Sequence, residues 1–233
     1  MHIVSTRIGY SNSVLLVNGT HSILIDTGVK YHMKCFKNLF RLYKLEPTDI
    51  KLIILTHTHY DHTGNLKALV KYTGAKVLVH TNEFENLKNG FTPIPKGLSF
   101  KTRCVERIGK AFYPKYASPD SFISDIVNSN EFDLNEYGIK GKIIHTPGHT
   151  DGSQSVLIGN NLISGDTFIH MRSGTIFPHF ANDPKILLNT WQNIFDSEID
   201  TIYPGHGPKF KLEIAIPEFE KWKRKIRGVE LKR

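Results

Sequence analysis

The chain has 233 residues, with 39% hydrophobic and 22% charged side chains and a formal net charge of +8, proportions ordinary for one large globular domain. No stretch approaches the roughly 18–20 apolar residues of a membrane span. The opening MHIVSTRIGYSNSVLLV lacks the basic, apolar and small-residue segments of a secretion signal, so a cytoplasmic protein without membrane attachment is expected. The only cysteines, Cys35 and Cys104, form no CxxC pattern, which excludes a Cys₄ zinc ribbon and argues against a disulfide framework. Residues 221–233 hold seven basic side chains against one acid, Glu230, and so carry most of the net charge. They read as the solvated face of a terminal helix rather than as a nucleic-acid stripe.

HIVSTRI, SVLLV and SILIDTG read as strands. Asn18-Gly19 between the last two predicts a two-residue hairpin turn with positive φ at both positions. Met33, Phe36, Phe40 and Tyr43 recur at helical spacing over 30–45, and Pro47 is expected to stop that helix. LIIL at 52–55 is a short buried strand, 65–72 a helix and AKVLVH at 75–80 another strand. This alternation marks an α/β layered domain. Residues 81–130 interrupt it with helical stretches and an aromatic- and proline-rich sequence that includes Phe91, Phe100, Phe112, Tyr113, Pro114, Tyr116 and Phe122. An insertion of this kind is a candidate lid over a pocket. Strands follow at about 131–134, 142–146, 154–158 and 161–164, then a helix at 184–195, a strand at 199–203 and a last helix opening at Pro217. No composition break marks a linker, so residues 1–233 are expected to form a single domain of two similar βα halves packed together.

Four polar loops each follow a predicted strand: THTHYDH at 56–62, HTPGHTDGS at 145–153, SGDT at 164–167 and YPGHGP at 203–208. Strand ends in a layered α/β domain meet at one edge. Neutral imidazole and carboxylate are good zinc ligands. His57 and His59 are two residues apart, and in an extended segment they point the same way. With His149 they make one expected site. Asp61 and His62 lie past a bend, and with His206 they make a second. Asp166 has two oxygens and is placed to bridge. Gly148, Gly205 and Gly207 let the backbone approach a crowded centre. His2, His21, His32, His80, His145 and His179 read as ordinary core or surface residues.

The run His57-x-His59-x-Asp61-His62, followed in order by His149, Asp166 and His206, closely resembles the metallo-β-lactamase superfamily over about residues 23–206. The resemblance implies an αββα sandwich with metals at one edge of the two sheets. It also implies that Asp26 in ILIDTG orients the motif loop. The implied activity is hydrolysis by a hydroxide bridging two Zn²⁺ ions, with iron or manganese as alternatives, attacking the carbonyl of an ester, lactone or thioester. Asp61 has the catalytic role of hydrogen-bonding the hydroxide or shuttling its proton. TPGHTDGSQSV and LISGDTF are similar to the matching segments of glyoxalase II and N-acyl-homoserine lactonases. Only residues 207–233 follow His206, however, where glyoxalase II carries a helical glutathione-binding region, so glutathione-thioester specificity is not expected and a lactonase-like hydrolase fits better. The expected partner is a small-molecule substrate, not nucleic acid or membrane, and a homodimer is left open. Three other readings remain: a phosphodiesterase or nuclease on the same site, a mononuclear-iron sulfur dioxygenase, and a metal-dependent binding module. Tyr60, His170 and Arg172 stand near the motif positions, and Arg172 is suited to a carboxylate or phosphate.

Overall fold

Alternate residues of a strand face opposite sides of its sheet, and in this chain both sides of the central strands are apolar. The computed structural model describes the backbone of residues 1–116 and 119–230, and their side chains except those of 112–116, 227, 229 and 230. The aromatic residues expected at Phe112, Tyr113 and Tyr116, and the basic residues Arg227, Lys232 and Arg233, lie outside the described side chains. The first sheet orders its strands β1 (His2–Ile8), β2 (Ser11–Val17), β3 (Ser22–Ile25), β4 (Ile50–Ile54), β5 (Lys76–His80) and β6 (Ile126–Asn128). The second runs from β12 (Phe210–Lys211) through β11 (Thr201–His206), β10 (Asn161–Ile169), β9 (Gln154–Ile158) and β8 (Lys142–His145) to β7 (Phe132–Asp133). Each sheet is therefore built from one half of the chain.

Leu16, Ile23, Ile25, Leu52, Ile54 and Leu78 turn inward and meet Leu134, Ile143, Val156 and Ile163 of the second half. Their neighbours Leu15, Leu24, Ile53, Val77 and Val79 turn outward, where α1 (Met33–Leu42), α3 (Leu66–Thr73) and α4 (Thr81–Asn89) cover them. On the far side, Leu162, Phe168 and Ile202 pack under α6 (Pro184–Phe195) and α7 (Ile216–Glu230). Four layers result, helix–sheet–sheet–helix, and the central strands read as continuous apolar runs because both faces are buried. Trp191 is the anchor of the second outer layer. It is fully buried, its ring stacks on Phe168 with centroids 4.2 Å apart, and its Nε1 donates to Thr167 O at 2.8 Å. Removing such a side chain costs about 3–5 kcal/mol. Among the described residues no helix is long and apolar enough to cross a membrane.

Several local expectations are corrected. The β2–β3 hairpin pairs Leu16 with Ile23, so its loop spans 18–21, and only Gly19 of the Asn18-Gly19 pair has positive φ, at 57°. Asn18 instead supplies an acceptor: His21 N donates to its carbonyl at 3.2 Å. Helix α1 ends before Pro47, because Lys44 takes a left-handed conformation with φ 53° and Leu45 N turns back to Phe40 O. Pro47 opens a 3₁₀ turn. Strand β10 runs on to Ile169 through a register shift at Gly165. The segment 81–130 is not uniform. Helix α4 packs on β5, β6 is a strand of the first sheet, and between them lies α5 (Phe100–Tyr116).

Candidate metal centre

The parallel strands β3 and β4 end side by side, which puts Asp26 against Thr56. Asp26 has φ 57°, a conformation that a short polar side chain tolerates better than most. One carboxylate oxygen accepts from Thr56 N at 2.8 Å. The other accepts from Thr56 Oγ1 at 2.7 Å and pairs with His62 Nδ1 at 2.8 Å. His59 has an extended backbone, and Asp61 and His62 sit in the single-turn helix α2 (Tyr60–Thr63) rather than in an open bend. That turn is tied to the loop after β3, since Thr27 N donates to His62 O and Gly64 N to Gly28 O.

The other flank of the motif is held by Glu83 of α4, a carboxylate only 1% exposed. It accepts from Thr58 N at 3.1 Å and from Thr58 Oγ1, while Thr92 Oγ1 donates to Thr58 O at 2.7 Å. The second sheet supplies the remaining groups. His149 follows β8, whereas Asp166 lies inside β10 and His206 is the last residue of β11. These two are strand residues and not, as the sequence suggests, parts of loops beyond strands. The bulge at Gly165 lets β10 continue past the point where its pattern reads as finished.

All seven side chains converge, in three overlapping clusters: His57, His59 and His149; His57, His62 and Asp166; Asp61, His62 and His206. His59 Nδ1 lies 3.1 Å from His149 Nε2. His206 Nε2 is 3.4 Å from Asp61 Oδ2 and 3.3 Å from Asp166 Oδ1. The other Asp166 oxygen is 3.6 Å from His149 Nε2, so one carboxylate reaches toward both ends of the centre. Gly205 makes this possible, because a Cβ there would stand 2.0 Å from Asp166 Oδ1. At Gly148 the chain takes φ 125°, and a Cβ would meet Leu187 N at 2.3 Å, so glycine is required on both counts.

Each of the five histidines is held by one ring nitrogen and offers the other to the centre. His57 Nδ1 contacts Thr56 Oγ1, His62 Nδ1 Asp26, His149 Nδ1 Phe180 O, His206 Nδ1 Tyr10 O, and His59 Nε2 Pro93 O. Such anchoring sets tautomer and orientation in metal-binding histidines. Burial holds His57 well below the usual imidazole range and lowers His149 to about 4. Burial also works against charge on His62 and His206, but Asp26 and Asp166 outweigh it at His62, and Asp166 and Asp61 at His206. His62 is raised well above its usual value and His206 to about 9. Burial likewise opposes ionisation of Asp166, yet His206 and His62 keep its carboxyl well below the usual range. The seven residues pass a direct test of fit to a cation. His57 Nε2, His62 Nε2 and Asp166 Oδ1 are buried with no hydrogen-bond partner among the described residues. A cation between them would satisfy these unpartnered buried atoms, and an all-nitrogen and oxygen set suits zinc, iron or manganese.

The model of the metallo-β-lactamase superfamily matches residues 6–206. This chain belongs to that superfamily. A relative, the probable metallo-hydrolase MJ0888 of Methanocaldococcus jannaschii, is 31% identical over 204 residues, covering 85% of this chain and 89% of its own. The metallo-β-lactamase superfamily protein ST1585 of Sulfolobus tokodaii shares the fold with a TM-score of 0.69 at 22% identity, over 94% of this chain and 85% of its own. So does TTHA1623, solved in a di-iron-bound form, with a TM-score of 0.65 at 23% identity, over 93% of this chain and 97% of its own. The chain is thus a metallo-hydrolase superfamily member, with the His/Asp cluster as its candidate metal site.

The centre forms the floor of a cavity of about 510 Å³ walled by Ile94, Pro95, Val105, Ile169, Pro178 and Phe180. Tyr10 and Tyr60 stand at its rim with their hydroxyls hydrogen-bonded to each other. Burial raises both phenols, and Asp61 adds to this, so both stay protonated at neutral pH. Sequence reasoning missed Tyr10 and Glu83. Gly9-Tyr10 reads only as the turn between β1 and β2. Glu83 reads as an ordinary acid near a helix start, and nothing in TNEFENLKN signals that it is buried.

Proposed function

We propose that this chain is a metal-dependent hydrolase of carboxylic esters, lactones or thioesters. The observation that carries the reading is the convergence of seven nitrogen and oxygen donors from both sheets on one point at the floor of an apolar cavity. In this reading His57, His59 and His149 hold one ion, Asp61, His62 and His206 hold a second, and Asp166 spans the two. A pair of zinc ions would supply water acidified to a pKa near 7 and a Lewis acid for the substrate carbonyl. Iron is the first alternative, given the di-iron form of TTHA1623. Asp61, which lines the cavity at the centre, accepts a hydrogen bond from the attacking water and takes up its proton. Tyr10 and Tyr60, both protonated, donate toward negative charge on the substrate. The wall residues Ile94, Val105 and Ile169 exclude water and seat an acyl group, and the segment between α4 and β6 acts as a lid because it contributes Ile94, Pro95 and Val105. Among the described residues the lining includes no lysine or arginine, which favours an uncharged carbonyl substrate over a phosphodiester at this point.

The test pairs elemental analysis of protein purified without chelator with turnover of a panel of lactones, thioesters and phosphodiesters. Two zinc equivalents with carbonyl hydrolysis are expected. His59→Ala should lose metal and activity together, and full turnover by that variant would sink the assignment. One iron per chain with oxygen consumption on a persulfide would replace hydrolysis by sulfur oxidation.

A further inference from the structure

A second concavity, of about 1020 Å³, meets the first at Tyr10, Met171 and His206, which line both. Its character is opposite. Arg7, Arg172 and Lys209 line it, together with His170 and Tyr203, and among the described residues no aspartate or glutamate does. Arg7 Nε donates to Gly9 O at 2.8 Å, and Lys209 Nζ lies 5.4 Å from the Tyr203 ring centroid. Among the described residues none of the three cations is in an ion pair, so their charge is not neutralised by the protein. Three exposed cations without a counter-charge beside a reaction centre raise the local concentration of anions.

Resting on the hydrolase reading above, we propose that the substrate is two-sided: an apolar acyl group joined through an ester or thioester to an alcohol or thiol that carries phosphate. The acyl group lies against Ile94, Val105 and Ile169, the carbonyl sits over the centre, and the leaving group passes Tyr10 and His206 into the cationic groove. There Arg172 and Arg7 take the phosphate in charge-assisted hydrogen bonds. Water forms the new C–O bond and the C–O or C–S bond to the leaving group breaks. The products are a carboxylate and a free alcohol or thiol; the proton that Asp61 takes from the water passes to the departing oxygen or sulfur, toward which the Tyr10–Tyr60 hydroxyl pair donates a hydrogen bond. The asymmetry of the two chambers argues against a nucleic-acid strand. A strand carries phosphates on both sides of the scissile bond and is held by cations tracking its backbone, but one of the two chambers here is apolar.

The test compares two thioesters of hexanoic acid, one with coenzyme A and one with N-acetylcysteamine, which has the same reactive end and no phosphate. The coenzyme A thioester should be preferred at least tenfold in kcat/KM, mainly through KM. The double variant Arg7→Glu/Arg172→Glu should cut that preference about tenfold or more, and Lys67→Glu on α3 should leave it in place, which separates local contact from net charge. The metal-free protein should bind adenosine 3′,5′-bisphosphate in calorimetry, weaken as salt rises, and lose the binding in Arg172→Glu. Equal use of the two thioesters, or bisphosphate binding indifferent to Arg172→Glu, would overturn the proposal. So would cleavage of an RNA oligomer in preference to both thioesters. If neither thioester turns over while the bisphosphate binds as expected, it is the carbonyl-hydrolase reading that fails.

Discussion

At Gly205 a single missing atom decides whether the centre can assemble, because the Asp166 carboxylate occupies the space a Cβ would take. Gly205→Ala should leave the circular dichroism spectrum unchanged and lower kcat/KM on the order of a hundredfold, the scale of a displacement near 1 Å in a catalytic group. Normal metal content and turnover in that variant would mean that Asp166 does not sit where the structure puts it. Glu83 acts at one remove, through Thr58 and the backbone between His57 and His59. Glu83→Gln should weaken metal affinity about 10–100-fold in a chelator competition. At this scale the centre was largely legible, because imidazole and carboxylate in so dense a run have no other economical explanation. What supports it was not legible. Carbonyls of Tyr10, Pro93 and Phe180 and the buried Glu83 are generic groups given a role only by tertiary contact.

Helix α4 links the centre to acidity. Its N-terminus is capped by His80, whose Nδ1 accepts from Asn82 N at 3.2 Å, so the ring must keep that lone pair. The ring also stacks on His145, with centroids 4.2 Å apart and 10° between planes. Burial, then His145, lowers His80 from 6.5 to about 4. Below pH 6.5 the unfolded chain takes up a proton that the folded ring refuses, so stability falls as pH drops from about 6.5 toward 4. The contribution is on the order of 1–2 kcal/mol. His80→Asn caps the helix without titrating. In metal-free protein the variant's urea midpoint should decline less than the wild type's across that interval, and parallel declines would refute the cap mechanism. The sequence marks helical stretches within 81–130 without bounding this helix, because the whole stretch reads as one insertion. The helix's buried faces, Leu87 and the Glu83 carboxylate, acquire meaning only from β5 beneath. Helix α6 was readable because Asp183 and Pro184 mark its start chemically, and the Asp183 carboxylate accepts from Lys185 N at 2.8 Å. Among the described side chains of α7, Lys221, Arg224 and Lys225 are exposed, with Lys225 over the Trp222 ring and Lys221 paired to Glu218, as a solvated face requires.

The layered architecture followed from apolar strands alternating with amphipathic helices, and the family resemblance supplied the order of the layers. Register and sheet edges did not follow: β12 is a two-residue strand, and the β10 bulge depends on Thr56 of the other sheet filling the space beside Gly165. Contacts between the halves gather at the centre. Asn12 Nδ2 donates to Pro204 O and Gly207 O, and Gln154 Nε2 to Leu55 O. Ions bound there favour the folded chain by mass action, about 4 kcal/mol at a free concentration a thousand times Kd. Chelation should therefore lower Tm by several degrees, re-addition of zinc should restore it in a concentration-dependent way, and a Tm indifferent to chelator would contradict a shared centre. The distribution of the donors along the chain has a temporal meaning as well. In the proposed assignment the first half brings four of them and the second half brings three, the last at position 206. In that assignment a chain whose first sheet has folded would offer an incomplete coordination shell, from which an ion could escape. Tight retention would await His206 and the docking of the second sheet, so the metal would act as a latch that closes only when both halves are present.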